Sequence, residues 1–360
     1  MIRILHAADF HLDSPFSSLS PEQAAERRAE QRALLTELFE AANHRQCDLV
    51  LLSGDIFDSE NVCPDSVDAL RRAMSLCTAQ IFIAPGNHDY LADGSVYLTG
   101  SWPENVHIFR SGRIEAVSLP ALGCRVFGAG FTGKAQTPLL TGFRAPEDGL
   151  VNLMVLHGDA LNADSPYNPI SRADIAASGL HYLALGHIHA ASGLLRAGGC
   201  FYAWPGCLMG RGFDETGQKG ALVLEVSQND CQAEFLPIGS RKYEILRIDA
   251  GQDAADAIER ALSSHTQNDS YRIILTGEAA PFRPAELYAR FASRFFSLSI
   301  RDETVPARDL WEGMQEDTLR GHFLRTLRLQ YDAADKKGKA LIALAARYGT
   351  AAMDGREEPL

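Results

Sequence analysis

The sequence predicts an α/β fold built from parallel β-α-β units. In the first part of the chain, short apolar runs typical of buried strands alternate with longer stretches typical of helices. Five of the predicted strands end at a histidine, an aspartate or an asparagine. A smaller alternation of strands and helices follows residue 240. Together these observations predict a large α/β domain followed by a small one.

The composition is that of an ordinary globular protein. A length of 360 residues allows a large core and more than one domain, and the hydrophobic content is 46%. Because no run of about 18 apolar residues is present, we expect no transmembrane helix. The start of the chain lacks signal-peptide features, and the seven cysteines are scattered without a C-x-x-C pair. We therefore expect a cytoplasmic protein with reduced thiols.

The predicted elements begin with a strand at 2–6 and a helix that runs to about residue 44. The start of this helix carries three signals, namely Ser20 as the cap, Pro21 in the first turn and Gln23 as the capping-box partner. The remaining elements of the first 240 residues are a strand at 49–52, a helix at 65–77, a strand at 81–84, β segments at 106–109, 114–117 and 125–127, a strand at 151–156, a helix at 171–178, a strand at 181–185, and three β segments within 192–238.

A domain boundary is predicted near residues 237–242. The elements beyond it are strands at 243–248, 271–276 and 296–300, helices at 253–264 and 284–292, and two further helices at 307–331 and 335–348. We therefore divide the chain into a catalytic domain at 1–240, a small domain at 241–303 and a helical segment at 304–360.

A Pro-Gly pair stops the strand at 81–84 abruptly. The break places Asn87, His88 and Asp89 at the carboxyl end of the strand, where open α/β sheets bind ligands. For Asp89 we expect only a bond to a backbone amide and no catalytic role. His6 and His44 are expected to be structural or exposed.

Metal-ligating residue types follow the other strand ends as well. The candidate ligands are Asp9, His11, Asp55, Asn87, His157, His187 and His189. Borderline divalent ions such as Mn²⁺, Fe²⁺ or Zn²⁺ prefer this mixture of imidazole and hard oxygen. Seven ligands are too many for one ion, but they fit two ions that share a bridging carboxylate. Such a pair attracts a phosphate ester, activates water and stabilises in-line displacement at phosphorus.

The order of these motifs resembles the calcineurin-like metallophosphoesterase superfamily. The motifs are Asp-x-His, Gly-Asp-x-x-Asp, Gly-Asn-His-Asp, His-Gly and Gly-His-x-His, and they cover roughly residues 1–240. The resemblance implies a two-sheet αββα sandwich, followed by a small C-terminal α+β capping domain and terminal helices. It also implies hydrolysis of phosphoesters by a pair of divalent metal ions.

The resemblance further implies a role for each motif residue. The ligands divide into Asp9, His11 and His189 for one metal, Asn87, His157 and His187 for the other, and Asp55 as the bridge. His88 is not a ligand and would protonate the leaving oxygen. Asp58 would orient His88 and raise its pKa.

Three longer segments, at 6–16, 53–58 and 205–220, resemble the bacterial DNA repair exonucleases of the SbcD/YhaO type. These enzymes typically use Mn²⁺, act on DNA and work with an SMC-like ATPase partner. In such an enzyme the small domain after residue 240 would help to orient DNA. A homodimer is a further partner hypothesis.

The charge distribution bears on the DNA hypothesis. The net charge is −12, with 16 basic against 27 acidic residues in 1–240 and 18 against 19 in 241–360. An acidic catalytic half predicts weak, metal-dominated DNA binding unless Arg172, Arg211 and Lys219 gather at the cleft. The alternative is that these cations pair with nearby acids, namely Asp174, Asp214 and Glu215.

The helical segment 304–360 contains an apolar stripe flanked by arginines. The stripe is Leu319, Phe323, Leu324, Leu327 and Tyr331, and the flanking residues are Arg320, Arg325 and Arg328. It would either dock on a partner coiled coil, as the resemblance implies, or pack within the protein.

Three function classes compete at this point. A DNA nuclease is the main hypothesis, and a small-molecule phosphodiesterase or phosphatase would use the same site. A non-catalytic scaffold would require a missing ligand, and none is missing from the motifs.

Overall fold

The structure is a computed structural model that describes residues 1–239, 241–262, 267–306 and 309–355. The strands are β1 (Ile2–Ala7), β2 (Leu49–Leu52), β3 (Gln80–Ile83), β4 (Val106–Ile108), β5 (Glu115–Leu119), β6 (Cys124–Gly128), β7 (Val151–His157), β8 (Tyr182–Gly186), β9 (Leu195–Ala197), β10 (Cys200–Ala203), β11 (Gly220–Val226), β12 (Cys231–Pro237), β13 (Tyr243–Asp249), β14 (Ser270–Thr276), β15 (Glu278–Ala279), β16 (Ser297–Asp302) and β17 (Val305–Pro306). The helices are α1 (Pro21–His44), α2 (Pro64–Ser75), α3 (Val96–Thr99), α4 (Arg172–Ala177), α5 (Ala254–Ala261), α6 (Pro284–Phe291), α7 (Leu319–Ala333) and α8 (Lys336–Met353).

Two six-stranded sheets form the larger part of the fold. The first sheet has the order β12-β11-β1-β2-β3-β4, and the second has the order β5-β6-β7-β8-β10-β9. In the first sheet β1 to β4 run parallel, and in the second β6, β7, β8 and β10 run parallel. The antiparallel strands lie at the sheet edges, as β11 and β12 do in the first sheet.

The two sheets share a buried core with helices outside it. Alternate residues of the parallel strands point inward and make one apolar cluster that contains residues of both sheets, among them Ile4, Leu49, Leu51, Val126, Leu153 and Val155. The residues between them, such as Leu5, Val50 and Leu52, pack against α1 and α2. On the second sheet, Met154 and Leu183 pack with Ile175 of α4. This layering confirms the predicted αββα sandwich.

The first helix begins as the sequence predicts. Ser20 Oγ accepts the Gln23 amide at 3.2 Å, and the Gln23 side chain accepts the Ser20 amide at 3.3 Å. The helix runs from Pro21 to His44. The region 192–238 holds four strands and not the three predicted, because a turn at Gly198 (φ +57°) forms the separate hairpin β9–β10.

The strand registers bring the predicted ligand positions to one edge. Ala7 of β1 pairs with Leu52 of β2, which in turn pairs with Ile83 of β3. In the second sheet His157 of β7 pairs with Gly186 of β8. The carboxyl ends of parallel strands therefore lie level within each sheet, and the residues that follow them are neighbours.

The chain divides into two compact units. The first contains Met1–Ile245, Thr266–Arg272 and Arg294–Ser297, and the second contains Leu246–His265, Ile273–Ser293 and Leu298–Leu360. The small elements after residue 240 include a three-stranded sheet in the order β13-β14-β16 and a parallel pair, β15 and β17. The last two residues of the helix predicted at 253–264 lie outside the described residues.

The helix predicted at 307–331 begins later in the structure than in the prediction. Residues 307 and 308 lie outside the described part of the chain, 309–318 form turns, and α7 begins only at Leu319. Gly313 adopts a left-handed φ of +79°, which a helix cannot contain, and Thr318 Oγ caps α7 by accepting the Gly321 amide at 3.1 Å. Among the described residues, no helix combines the length and apolarity needed to cross a membrane.

Candidate metal centre

The structure brings the seven predicted ligands together at the strand ends. Four of them, Asp9, His11, Asp55 and His187, adopt positive φ angles between 46° and 90°, although none is a glycine. Such conformations cost energy and concentrate at functional sites, where the surrounding structure holds them. They turn the chain sharply after β1, β2 and β8 and bring the ligand side chains that follow these strands close together.

One group of ligands forms around two histidine rings. Nε2 of His11 lies 3.2 Å from Nε2 of His189, and ligand atoms of these two residues and Asp9 all lie within 4.8 Å of one another. Two imidazole nitrogens that face each other beside a carboxylate are well placed to bind one cation.

A second group forms around the amide of Asn87. Oδ1 of Asn87 lies 2.9 Å from Nε2 of His157 and 3.2 Å from Nδ1 of His187. An amide oxygen and two imidazole nitrogens thus converge on a second point.

Asp55 lies between the two groups. Its Oδ2 is 3.8 Å from Nε2 of His11 in the first group and 3.3 Å from Nε2 of His157 in the second. Its other oxygen accepts the backbone amide of His88 at 2.9 Å. Asp9 also approaches both groups, since its carboxylate accepts the backbone amide of His187 at 3.0 Å and a ligand atom of Asp9 lies within 4.8 Å of those of Asp55 and His157.

The electrostatics of the two ligand groups also fit cations. Asp9 and Asp55 are fully buried, and burying a carboxylate is costly unless a positive charge accompanies it. Burial raises the pKa of Asp9. Burial alone would lower the pKa of His157, but Asp55 and Asp9 outweigh it and raise that pKa to about 9. The donor set of imidazole, carboxylate and amide oxygens therefore fits a pair of divalent cations.

The second nitrogen of each candidate histidine ligand has its own partner. Nδ1 of His11 lies 3.1 Å from Asp58 Oδ1, Nδ1 of His157 lies 2.8 Å from the Ser53 carbonyl oxygen, Nδ1 of His189 lies 2.6 Å from Glu215 Oε1, and Nε2 of His187 lies 3.9 Å from Asp159 Oδ2. Hydrogen-bonded partners fix the tautomer and orientation of metal-binding histidines, which applies to His11, His157 and His189. At 3.9 Å, Asp159 is near enough to His187 for a charge interaction but not for a hydrogen bond.

Sequence reasoning missed Glu215 and Asp159 in this role. From the sequence, Glu215 is considered only as a possible partner for nearby cations, and Asp159 is not singled out. A signal was available for Glu215, since it lies in the 205–220 segment that follows the last two histidines.

His88 lies beside the centre and is exposed. Its ring contacts the His11 ring edge-on, with centroids 4.8 Å apart. Its Nδ1 lies 2.9 Å from the main-chain oxygen of Asp58, while the Asp58 carboxylate is bonded to His11, Ser14 and Arg211. Asp58 therefore contacts His88 as predicted, but the hydrogen bond is made by the backbone and not by the carboxylate.

The three predicted substrate-binding cations have different surroundings. Arg211 lies at the centre and pairs with Asp58 at 2.9 Å and with Glu215 at 2.8 Å. Lys219 Nζ lies 3.4 Å from the His189 carbonyl oxygen. Arg172 is exposed and donates to the Arg196 carbonyl oxygen at 3.2 Å. The structure thus brings Arg211 and Lys219 to His189, and the described contacts do not link Arg172 to the centre.

In a comparison with known proteins, residues 2–191 of this chain match the family model of the calcineurin-like phosphoesterases. These residues contain all seven candidate ligands, His88 and Asp58. The chain belongs to the calcineurin-like phosphoesterase family. It is therefore a metallophosphoesterase, a metal-dependent hydrolase of phosphoesters, with a candidate dimetal centre.

Relatives of this metallophosphoesterase include two bacterial proteins. It is 32% identical over 268 residues to the uncharacterized metallophosphoesterase YhaO of Bacillus subtilis, in an alignment that covers 71% of this chain and 64% of that protein. It is 21% identical over 311 residues to the SbcD subunit of the nuclease SbcCD from Staphylococcus epidermidis, covering 76% and 79%. The chain thus spans less than two thirds of the length of YhaO.

Among solved structures, the protein TT1561 of Thermus thermophilus is similar, with 12% identity and a TM-score of 0.40. The alignment covers 65% of this chain and 98% of that one.

Proposed function

We propose that this metallophosphoesterase is a Mn²⁺-dependent phosphodiesterase that cleaves DNA. The observation that carries the hydrolase chemistry is the position of Asp55 between two groups of histidines, 3.8 Å from His11 and 3.3 Å from His157. The DNA substrate is supported by similarity to a protein named as a nuclease subunit over 311 residues, which is 76% of this chain.

In this proposal the two ligand groups each hold one Mn²⁺ ion. The first ion would take Asp9, His11 and His189, the second would take Asn87, His157 and His187, and Asp55 would serve both. When bound, such an ion pair supplies positive charge for the phosphate and makes water a stronger nucleophile. The uncharged amide of Asn87 contributes an oxygen without reducing that positive charge.

His88 is the proposed general acid. Because the Asp58 carbonyl oxygen can only accept a hydrogen bond, Nδ1 of His88 must carry a hydrogen at their 2.9 Å contact. The exposed ring can then hold a second proton at Nε2 and donate it to the leaving oxygen of the ester. Asp58 orients the ring through its backbone.

Contacts with the rest of the substrate are proposed for Arg172, Arg211 and Lys219. The first 240 residues carry 16 basic and 27 acidic residues, so backbone neutralisation by the protein alone would be weak. We therefore expect DNA affinity to depend on bound Mn²⁺ more than on protein cations.

The C-terminal part is proposed to serve partners and substrate. We assign 241–303 as a capping domain that orients DNA and 304–360 as a docking segment for an SMC-like ATPase; homodimer formation belongs to the same proposal. Within the predicted stripe Leu324 is buried, whereas Leu319 is 77% exposed. Further exposed apolar side chains lie on α7, at Leu329, and on α8, at Leu341, Leu344 and Tyr348. They would supply the apolar surface for a partner helix.

The test is a Mn²⁺ assay on three substrates: end-labelled DNA, a chromogenic phosphodiester and a chromogenic phosphomonoester. We expect cleavage of the DNA and the diester, abolished by a chelator. His88→Ala should retain its metal content and lose about 10²- to 10⁴-fold in kcat. The matched control is His44→Ala, which removes an exposed histidine from the end of α1.

Two results would count against the proposal. Turnover of the monoester alone would exclude the nuclease, and a His88→Ala variant at full rate would exclude its role as acid. The acidity of residues 1–240 favours a second candidate, a phosphodiesterase or phosphatase of small molecules, which would turn over the small diester or monoester and leave DNA intact.

A further inference from the structure

One guanidinium connects two of the candidate metal ligands. Arg211 Nη1 lies 2.9 Å from Asp58 Oδ1, and Arg211 Nη2 lies 2.8 Å from Glu215 Oε1. Those two oxygen atoms are the same ones that contact Nδ1 of His11, at 3.1 Å, and Nδ1 of His189, at 2.6 Å. The order of contacts is therefore His11, Asp58, Arg211, Glu215 and His189.

These contacts form a closed ring, because the two terminal histidines also face each other. The remaining ring nitrogens of the two histidines, both Nε2, lie 3.2 Å apart at the first ligand group. The Nδ1 atom of each imidazole ring thus contacts a carboxylate, and both carboxylates accept hydrogen bonds from the guanidinium of Arg211. Nη2 of Arg211 also lies 3.2 Å from Nδ1 of His189.

The surroundings fix Arg211 in this position. Its backbone amide donates to Glu215 Oε2 at 2.8 Å, and the Glu215 amide donates back to the Gly212 carbonyl at 3.1 Å. The Gly210 carbonyl accepts from Arg27 Nη2 at 2.9 Å, and Arg27 is only 1% exposed. The turn that carries Arg211 and Glu215 is therefore anchored to helix α1.

Arg211 is the cation that the carboxylates of Asp58 and Glu215 share. The side chain of Asp58 is 23% exposed and that of Glu215 is 6% exposed. Without Arg211, two partly buried carboxylates would lose the cation between them.

The second ligand group has other supports. Nδ1 of His157 is bonded to the Ser53 carbonyl oxygen at 2.8 Å, and His187 lies 3.9 Å from Asp159. Within the described residues, neither support contacts Arg211. An arginine that supports one histidine pair and not the other should affect only one of two metal sites.

We propose that Arg211 is a positioning residue that holds His11 and His189 through their carboxylate partners and so sets the affinity of one metal site. The inference rests on the proposed dimetal function. For Arg211 this role replaces the substrate contact proposed above, since both terminal nitrogens of its guanidinium are paired with carboxylates and its side chain is only 23% exposed.

Calorimetric titration of MnCl₂ into chelator-treated protein tests this inference without any turnover. Wild type should bind two ions per chain. Arg211→Gln should weaken one of the two sites by about 10- to 100-fold and leave the other unchanged. Glu215→Gln should weaken the same site, and the double variant should lose less than the sum of the two single losses.

Two further variants control for charge and folding. Arg211→Lys keeps the charge but cannot span both carboxylates with a rigid fork, so we expect a partial loss at the same site. Arg45→Gln removes an arginine from an exposed bidentate pair with Glu234, whose distances are 2.9 and 2.6 Å, and should leave both sites unchanged. Thermal melts of the metal-free variants report any general loss of folding.

Activity at saturating Mn²⁺ separates positioning from substrate binding. A positioning role predicts that excess Mn²⁺ restores most of kcat in Arg211→Gln with little change in KM for a chromogenic phosphodiester. A raised KM with both Mn²⁺ affinities unchanged would overturn the inference in favour of substrate contact. Equal weakening of both sites with a lower melting temperature would reduce Arg211 to a general structural role. If wild type binds fewer than two ions, the proposed dimetal function fails instead.

Discussion

The main-chain oxygen of Asp58 lies 2.9 Å from Nδ1 of His88, while the carboxylate of the same residue lies 3.1 Å from Nδ1 of His11. Asp58 therefore contacts two histidines with two different groups. A side-chain substitution at this position weakens or removes the contact with His11 but retains the backbone contact with His88. The two functions of Asp58 can be separated for this reason.

We expect Asp58→Asn to act mainly on metal binding. The neutral amide loses the charge that orients His11 and pairs with Arg211, so the Mn²⁺ concentration needed for half-maximal rate should rise by about 10- to 100-fold. At saturating Mn²⁺ the variant should be much faster than His88→Ala, which loses the proposed acid itself. Initial rates with a chromogenic phosphodiester over a range of Mn²⁺ concentrations measure both effects. An Asp58→Asn variant that stays as slow as His88→Ala at saturating Mn²⁺ would show that the carboxylate acts on His88 after all.

Gly86 leaves room for Asp55, and its replacement should disturb the centre. A Cβ at Gly86 would lie against Asp55 Oδ1 and 2.6 Å from the Asp55 amide nitrogen. Because the surroundings are buried, we expect Gly86→Ala to destabilise the protein by about 1–3 kcal/mol and to weaken Mn²⁺ binding. Denaturant unfolding and Mn²⁺ titration measure the two effects.

The matched control for Gly86→Ala is Gly199→Ala. A Cβ at Gly199 meets no heavy atom within 4 Å among the described residues. This variant should retain wild-type Mn²⁺ affinity. Normal metal binding by Gly86→Ala would mean that the carboxylate of Asp55 can move aside at little cost.

The buried carboxylate of Asp89 holds two loops of the centre together. It accepts hydrogen bonds from the Gly86 amide at 2.7 Å, the Ile56 amide at 2.8 Å, the Phe57 amide at 3.2 Å and the Tyr97 hydroxyl at 2.6 Å. We expect Tyr97→Phe, which removes one of these bonds without leaving a cavity, to lower the free energy of unfolding by about 1.5–3 kcal/mol.

Tyr90→Phe provides the comparison for Tyr97→Phe. The Tyr90 hydroxyl donates to Glu60 at 2.5 Å on the exposed surface, so its loss should change stability by less than about 0.5 kcal/mol. Urea unfolding of both variants measures the change in the free energy of unfolding that each substitution causes. Equal effects of the two substitutions would indicate that the Asp89 network contributes no more than a surface hydrogen bond.

Local sequence signals were enough to predict the alternating strands and helices and the candidate ligand positions, whereas the two-sheet sandwich was predicted from the resemblance to a known family. The capping box at Ser20 and Gln23 depends on residues three apart, and each ligand motif directly follows its own strand. Such features can be recognised in the sequence because they depend on residues that are close together along the chain. The expected backbone contact of Asp89 is also confirmed, and its partner Gly86 is only three residues away.

Contacts that depend on tertiary structure were not predictable in this way. Glu215 reaches His189 across 26 residues, and the use of the Asp58 backbone in place of its side chain depends on local chain direction. The predicted helix at 307–331 begins too early, although both Gly313 and the cap at Thr318 are visible in the sequence. The domain division and the roles of the site residues stay predictions.

The effect of burial on the His6 ring can be tested by measuring how the stability of the protein depends on pH. In the buried core, Nε2 of His6 lies 2.8 Å from the Ser53 hydroxyl and 3.1 Å from the Leu185 carbonyl oxygen, and Nδ1 lies 2.8 Å from the Tyr182 hydroxyl. These partners can satisfy both nitrogens of a neutral ring. Burial lowers the pKa of His6 to about 3. Between its ordinary pKa near 6.5 and that value, the unfolded chain binds a proton that the folded protein does not, so stability falls as the pH falls.

For metal-free wild type we expect this histidine to contribute a loss of about 2.5 kcal/mol between pH 6.5 and pH 4.5. His6→Gln should be less stable at pH 7.5, because it loses core hydrogen bonds, but its stability should decline less steeply over the same pH interval. His44→Ala, at an exposed position, should follow the wild-type profile. Guanidinium unfolding at several pH values measures the slopes. Parallel profiles for wild type and His6→Gln would mean that His6 takes up its proton in the folded protein, and the neutral hydrogen-bond arrangement with Tyr182 and Leu185 would then be wrong.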